Sequence, residues 1–131
     1  MNKILQGDVI EKLKEIESGT VQCVVTSPPY WGLRDYGTNG QLGLEETPEE
    51  YVQKMVEVFQ QIKRVLKHDG TVWLNLGDSY AGGSGGYNPK YEKNILKPKD
   101  LVGIPWRVTF ALQADGWYLR QDIIWHKPNP M

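Results

Sequence analysis

The chain has 131 residues, 40% apolar and 11% aromatic, with a formal net charge of −1. This composition suits one domain with a real core and excludes both a disordered tail and a generally basic nucleic-acid binder, so any DNA affinity must come from a local patch. A single cysteine excludes an internal disulfide and a cysteine-rich metal site, no apolar run reaches membrane length, and no signal-peptide core follows Met1-Asn2-Lys3, so the expected compartment is the cytoplasm.

Lys3-Ile4-Leu5-Gln6 predicts a short strand ended by Gly7. Asp8 then reads as a helix N-cap, with Glu11 at the capping-box position. Val9, Leu13 and Ile16 give a helix of about two turns one apolar face. Gly19 ends it. Val21-Gln22-Cys23-Val24-Val25 predicts a buried strand, with Cys23 as core packing.

Thr26-Ser27-Pro28-Pro29-Tyr30-Trp31 terminates that strand, because proline has no N–H and cannot extend a ladder. The loop lies at the carboxyl end of a strand, where open α/β sheets bind ligands. Its chemistry is a hydroxyl on Ser27, carbonyls whose directions the prolines restrict, and the flat faces of Tyr30 and Trp31. Oxygen acceptors beside an aromatic plate suit a flat heterocycle carrying an exocyclic –NH2. Acceptors that draw such an amine toward tetrahedral geometry free its lone pair for attack on an electrophile. Residues 32–43 are glycine-rich and aperiodic, which predicts a loop able to close over a base or a plain surface connection. Arg34 is a candidate phosphate contact there.

Thr47-Pro48-Glu49-Glu50 is a helix start: a cap, a proline at the first position, and two acids at the positive end. Tyr51, Met55, Phe59, Ile62 and Leu66 recur at helical spacing, and 67–70 predict the stop. Residues 71–76 predict a second buried strand, parallel to the first across a βαβ unit. Asn75 and Asp78 fall at its carboxyl end. Residues 81–99 predict a long flexible loop without the order of a phosphate-cradling motif. Lys90, Lys93, Lys97 and Lys99, interleaved with Tyr87 and Tyr91, form the local basic patch and a candidate DNA-backbone contact, or else a solvated linker. Pro105 opens a helix that Gly116 stops. Trp106, Thr109, Phe110 and Gln113 share one stripe of it, Val108 and Leu112 a neighbouring one. Residues 117–125 predict a third strand, broken by His126-Lys127-Pro128-Asn129-Pro130.

Ser-Pro-Pro-Tyr after an apolar strand resembles the catalytic motif of DNA amino-methyltransferases. The stretch from Lys97-Pro98-Lys99-Asp100-Leu101 to Trp125-His126-Lys127-Pro128-Asn129-Pro130 resembles their later segment more specifically still. The resemblance implies an α/β chain with a partial Rossmann-like methyltransferase fold, a mostly parallel sheet and flanking helices. It implies S-adenosylmethionine as cofactor, double-stranded DNA as partner, and methyl transfer to N4 of cytosine or N6 of adenine. The serine favours cytosine. Catalytic positions carried over are Ser27, Pro28, Pro29 and Tyr30. Cofactor contacts fall at Asp8 and Thr26. Base or DNA contacts fall at Trp31, Arg34, Asn75, Asp78, Trp125, His126, Lys127 and Asn129.

The family's Phe-x-Gly-x-Gly cofactor turn is absent from this sequence. Residues 1–131 are therefore expected to be the catalytic half of a methyltransferase domain, inactive in isolation. A C-terminal half, a second subunit or an oligomer would complete the cofactor site. A methyltransferase acting on RNA or a protein amide, or a non-catalytic fragment that only binds nucleic acid, are the competing readings.

Overall fold

A computed structural model describes residues 1–32, 35–81 and 96–129. In chain order the elements are helix α1 (Val9–Lys14), strand β1 (Val21–Thr26), helix α2 (Pro48–Val65), strand β2 (Leu66–Leu74) and helix α3 (Ile104–Ala114). β1 and β2 pair in parallel, with α2 as the crossover between them.

α2 is the scaffold. Thr47 accepts the Glu50 N–H at 3.2 Å, a proline occupies the first turn, and Glu49 and Glu50 face the positive end of the helix. Tyr51, Met55, Val56, Val58, Phe59, Ile62 and Val65 are buried along one side. Burial of each such side chain stabilises the fold by about 1.5–3 kcal/mol. α2 contacts both α1 and α3. Arg64 ties it to the end of α1, donating to the carbonyls of Leu13 at 2.6 Å and Ile16 at 3.1 Å and to Ser18 Oγ at 2.8 Å. Those carbonyls lie at the C-terminal end of α1, where Leu13 also accepts the Ile16 N–H at 3.1 Å.

The strands pair Val24 with Val72, Val25 with Trp73 and Thr26 with Leu74, after an irregularity between Val21 and Cys23. Because the pairing is parallel, both strands finish at the same edge of the sheet. The Asn75 N–H extends the ladder by one bond to the Thr26 carbonyl, at 2.9 Å.

α3 begins as the sequence indicates, with a proline in its first turn, and Gly116 follows it at φ +97°. Its buried face is Ile104, Val108 and Leu112. The Trp106–Phe110 stripe points outward, as a stacked pair with centroids 6.3 Å apart.

Several expectations are corrected. Residues 3–6 form no strand, and Ile4 is exposed. Residues 117–125 form no strand either, with Ile123, Ile124 and Trp125 exposed. A strand obtains its hydrogen bonds only from a neighbour, and among the described residues no strand lies beside either segment. Residues 67–70 do not stop α2 as a separate turn. α2 passes directly into β2 at Leu66, whose backbone is already extended at φ −70°, ψ 144°. Cys23 is exposed rather than packed in the core, its sulfur 3.5 Å from the Thr71 hydroxyl. Most of the predicted 81–99 loop, with Lys90 and Lys93, lies outside the described residues, as does Arg34. The flanks of that loop are joined: Tyr80 and Leu101 form an antiparallel bridge, and Ala81 donates to the Asp100 carbonyl at 2.7 Å.

Candidate active site

The loop after β1 is held from several sides. The Tyr51 hydroxyl, rising from α2, donates to the Pro29 carbonyl at 2.8 Å. Burial, and then the nearby Glu45 and Tyr30, push the Tyr51 phenol well above its ordinary pKa, so it stays a donor. Trp31 Nε1 donates to the Glu45 carbonyl at 2.9 Å, and the Gly32 N–H to the Gly43 carbonyl at 2.7 Å. The Glu45 side chain is fully buried. One of its oxygens accepts the Gly43 N–H at 2.9 Å, and the other lies 3.4 Å from the Lys54 ammonium. The Gly43 N–H and the Lys54 cation offset part of the cost of burying that charge, although Oε1 itself accepts no hydrogen bond among the described residues.

These anchors settle which way the motif faces. Ser27 is exposed, Thr26, Pro28, Pro29 and Tyr30 are half-buried, and Trp31 is buried at 1%. The expectation that Trp31 offers a flat face to a ligand is therefore not met. Its ring fills the core, and its N–H fixes the loop that follows.

At the carboxyl edge of the sheet, Asn75 Nδ2 lies 3.4 Å from Ser27 Oγ and 3.3 Å from Tyr30 Oη. The Tyr30 ring lies over Gly77. A methyl group there would come within 2.6 Å of the ring, so only glycine leaves it room. Gly43 makes a similar close approach at φ +106°, where an added Cβ would sit 3.0 Å from the Tyr30 carbonyl.

Asp8 and Thr26 share a cleft of about 720 Å³ with Pro28 and Pro29, walled by Val24, Leu42, Met55 and Phe59 among others. Asp8 also caps α1, with Oδ1 accepting from the Ile10 and Glu11 N–H groups at 3.0 and 3.2 Å. The Glu11 carboxylate turns to Lys14 at 2.7 Å instead of completing a capping box.

Asp78 does not reach the Ser27 cluster. Its carboxylate accepts from the N–H groups of Gly103 at 3.0 Å and Ile104 at 3.1 Å, capping α3 from a distance of 25 residues in sequence. Gly103 itself provides no side-chain cap. Trp125, His126, Lys127 and Asn129 lie on an exposed tail, and no hydrogen bond joins them to the cluster among the described residues. Of the two described lysines of the basic patch, Lys97 pairs with Asp100 at 3.0 Å. Backbone and side-chain hydrogen bonds from Lys97 hold that carboxyl below its usual range.

Sequence reasoning missed Tyr51, Glu45, Gly43 and Gly77. Tyr51 sat in a helical stripe and read as core. Glu45 carried no reading at all, lying between the glycine-rich loop and the cap of α2. Gly77 carried a signal only in that it lies just past a strand end, and Gly43 only in that it closes a glycine-rich loop.

This arrangement can accept hydrogen bonds from a planar amine beside an aromatic ring. A family model described as DNA methylase, of the N6/N4 type, matches residues 21–131. The type II methyltransferase M.XycI of Xanthomonas campestris pv. cyanopsidis is 52% identical over 141 residues, covering 98% of this chain and 47% of that protein. M.Cfr9I of Citrobacter freundii is 50% identical with the same coverage, and M.SmaI of Serratia marcescens 51% identical over 97% of this chain and 48% of that protein. The chain thus spans about half the length of these curated relatives. No solved structure gives a significant match. With that family model covering most of its length, the chain belongs to the DNA methylase family.

Proposed function

We propose that this chain is the catalytic half of a Rossmann-like DNA methyltransferase that methylates the exocyclic amine of a flipped base, cytosine N4 in preference to adenine N6. The reading is carried by one observation: Ser27 is exposed at a strand's carboxyl end, while its neighbours are anchored and Tyr30 stands beside it. The 50% identity to type II methyltransferases supports it.

The target base leaves the duplex at a cost of a few kcal/mol. Tyr30 stacks on it. Ser27 Oγ and the Pro28 carbonyl accept the two amine hydrogens and draw the nitrogen toward tetrahedral geometry. Rate enhancement then comes from positioning and from acceptors aimed at the developing positive charge on nitrogen. The spare proton of the methylated amine passes to water. Cys23 lies within β1 beside the Thr71 hydroxyl rather than in the proline loop, which argues against the cysteine nucleophile that C5 methylation needs.

S-adenosylmethionine, when bound, supplies a methyl carbon on a sulfonium that receives the amine lone pair. The cleft beside the motif fits a nucleoside cofactor. Its walls are apolar, and Asp8 offers carboxylate oxygens to ribose hydroxyls. Thr26 lies between that cleft and Ser27. The remainder of the pocket belongs to a second half, in the same polypeptide or another subunit. Lys99, Trp125, His126, Lys127 and Asn129 are exposed and available to double-stranded DNA.

The test is Ser27→Ala in the complete enzyme. Methyl transfer from labelled cofactor should fall about 10²–10³-fold with DNA binding retained. Unchanged turnover rejects the assignment.

A further inference from the structure

Asn75 occupies a place that direct contact with a base does not explain. Its backbone N–H is used by the Thr26 carbonyl, and its side-chain nitrogen points at two hydroxyl oxygens at once, Ser27 Oγ and Tyr30 Oη. An amide nitrogen has two hydrogens, one for each. Both side-chain donors are thereby committed inside the protein.

The consequence falls on Ser27. A hydroxyl has one donor hydrogen and two acceptor lone pairs. An Asn75 hydrogen fills one lone pair and leaves one acceptor and one donor directed outward. We infer that Asn75 is a positioning residue that sets Ser27 to read an amine and the adjoining ring nitrogen together. The free lone pair takes an amine hydrogen, and the hydroxyl hydrogen goes to the unprotonated ring nitrogen. Cytosine presents that edge at N4 and N3, adenine at N6 and N1. The same amide ties the Tyr30 ring to the serine, so the stacking plate and the reading edge move as one unit. This refinement rests on the methyltransferase reading above and adds a requirement to it: the substrate base needs a bare nitrogen beside its amine.

The test uses the complete enzyme and a duplex carrying its own site, mapped beforehand. In a second duplex the ring nitrogen of the target is replaced by C–H, as 3-deazacytosine or 1-deazaadenine. The replacement should lower wild-type kcat about ten- to a hundredfold, the worth of one strong hydrogen bond. Asn75→Asp keeps the shape but offers Ser27 an acceptor, which draws the hydroxyl hydrogen away from the base. Its kcat on the ordinary duplex should fall by a comparable factor, with KM for S-adenosylmethionine within about twofold of wild type. On the deaza duplex it should be no slower than wild type, because the interaction is already lost. Asn75→Ala provides the same comparison without a new charge. Penalties that multiply in both variants, or full activity in Asn75→Asp, overturn the inference. A wild-type enzyme that methylates no base overturns the proposed function instead.

Discussion

The loop after β1 and the tail after α3 both carry residues that resemble a DNA methyltransferase, yet the chain treats them oppositely. The loop is tied to α2 through Tyr51, to the segment ahead of α2 through Glu45 and Gly43, and to the end of β2 through Asn75. The tail from Tyr118 to Asn129 is exposed along most of its length. Its root is an exception, because Trp117 meets Phe59 edge-on at 6.0 Å and has the Lys63 ammonium 5.9 Å over its ring. The lesson is that a motif becomes a site only where its scaffold lies within the same stretch of chain. The Ser27 loop carries its scaffold with it. The tail is not held by the elements described.

That contrast can be broken by substitution. Gly77→Ala should have the largest effect, since the new methyl group meets the Tyr30 ring and the ring must swing away from Ser27. Such overpacking costs about 1–3 kcal/mol, and here it should appear as lost methyl transfer more than as a lowered Tm. A variant of normal activity would mean that Tyr30 is not the stacking plate.

Tyr51→Phe comes next. It retains the ring in the core and removes the donor to the Pro29 carbonyl, at about 1–2 kcal/mol in thermal unfolding. Its kcat should drop further than that stability loss alone predicts, because the Pro28–Pro29 carbonyls lose their fixed aim. Since the Tyr51 phenol titrates far above neutrality, wild-type activity should show no inflection from it between pH 6 and about 9, whereas a pH profile that steps in that range would contradict its role as a standing donor.

Asp78→Asn tests the remote cap of α3. Weakening two charge-assisted bonds to the Gly103 and Ile104 N–H groups should cost about 1 kcal/mol by chemical denaturation, with fraying confined to α3 in hydrogen exchange. Smallest of all, Trp125→Ser should change the stability of this chain by less than about 0.5 kcal/mol, because its ring is exposed. In the complete enzyme the same change should lower methyl transfer if the tail helps to enclose the base. A large loss of stability in the chain alone would show that the tail is already docked.

Much of the fold was legible locally. The cap at Thr47, the proline after it and the recurrence from Tyr51 to Ile62 define α2 by rules that act within a few residues. The Asp8 cap and the proline-started α3 are of the same kind. The strands were legible only in part. Residues 3–6 and 117–125 also read as strands, but strand formation is a property of pairs, and among the described residues β1 and β2 are the strands that pair.

The site divides the same way. Covalent sequence alone determined that a serine, two prolines and a tyrosine would follow an apolar strand, because proline's missing N–H ends the ladder wherever it stands. Which faces of that motif meet solvent was decided in three dimensions. Trp31 turned inward because the Glu45 carbonyl and the core were there to receive it, and Ser27 stayed outside. Asn75 came to Ser27 from 48 residues away because parallel strands end at a common edge. Asp78, three residues further on, was taken by α3 because the open N–H groups at a helix start bind a carboxylate more strongly than water does.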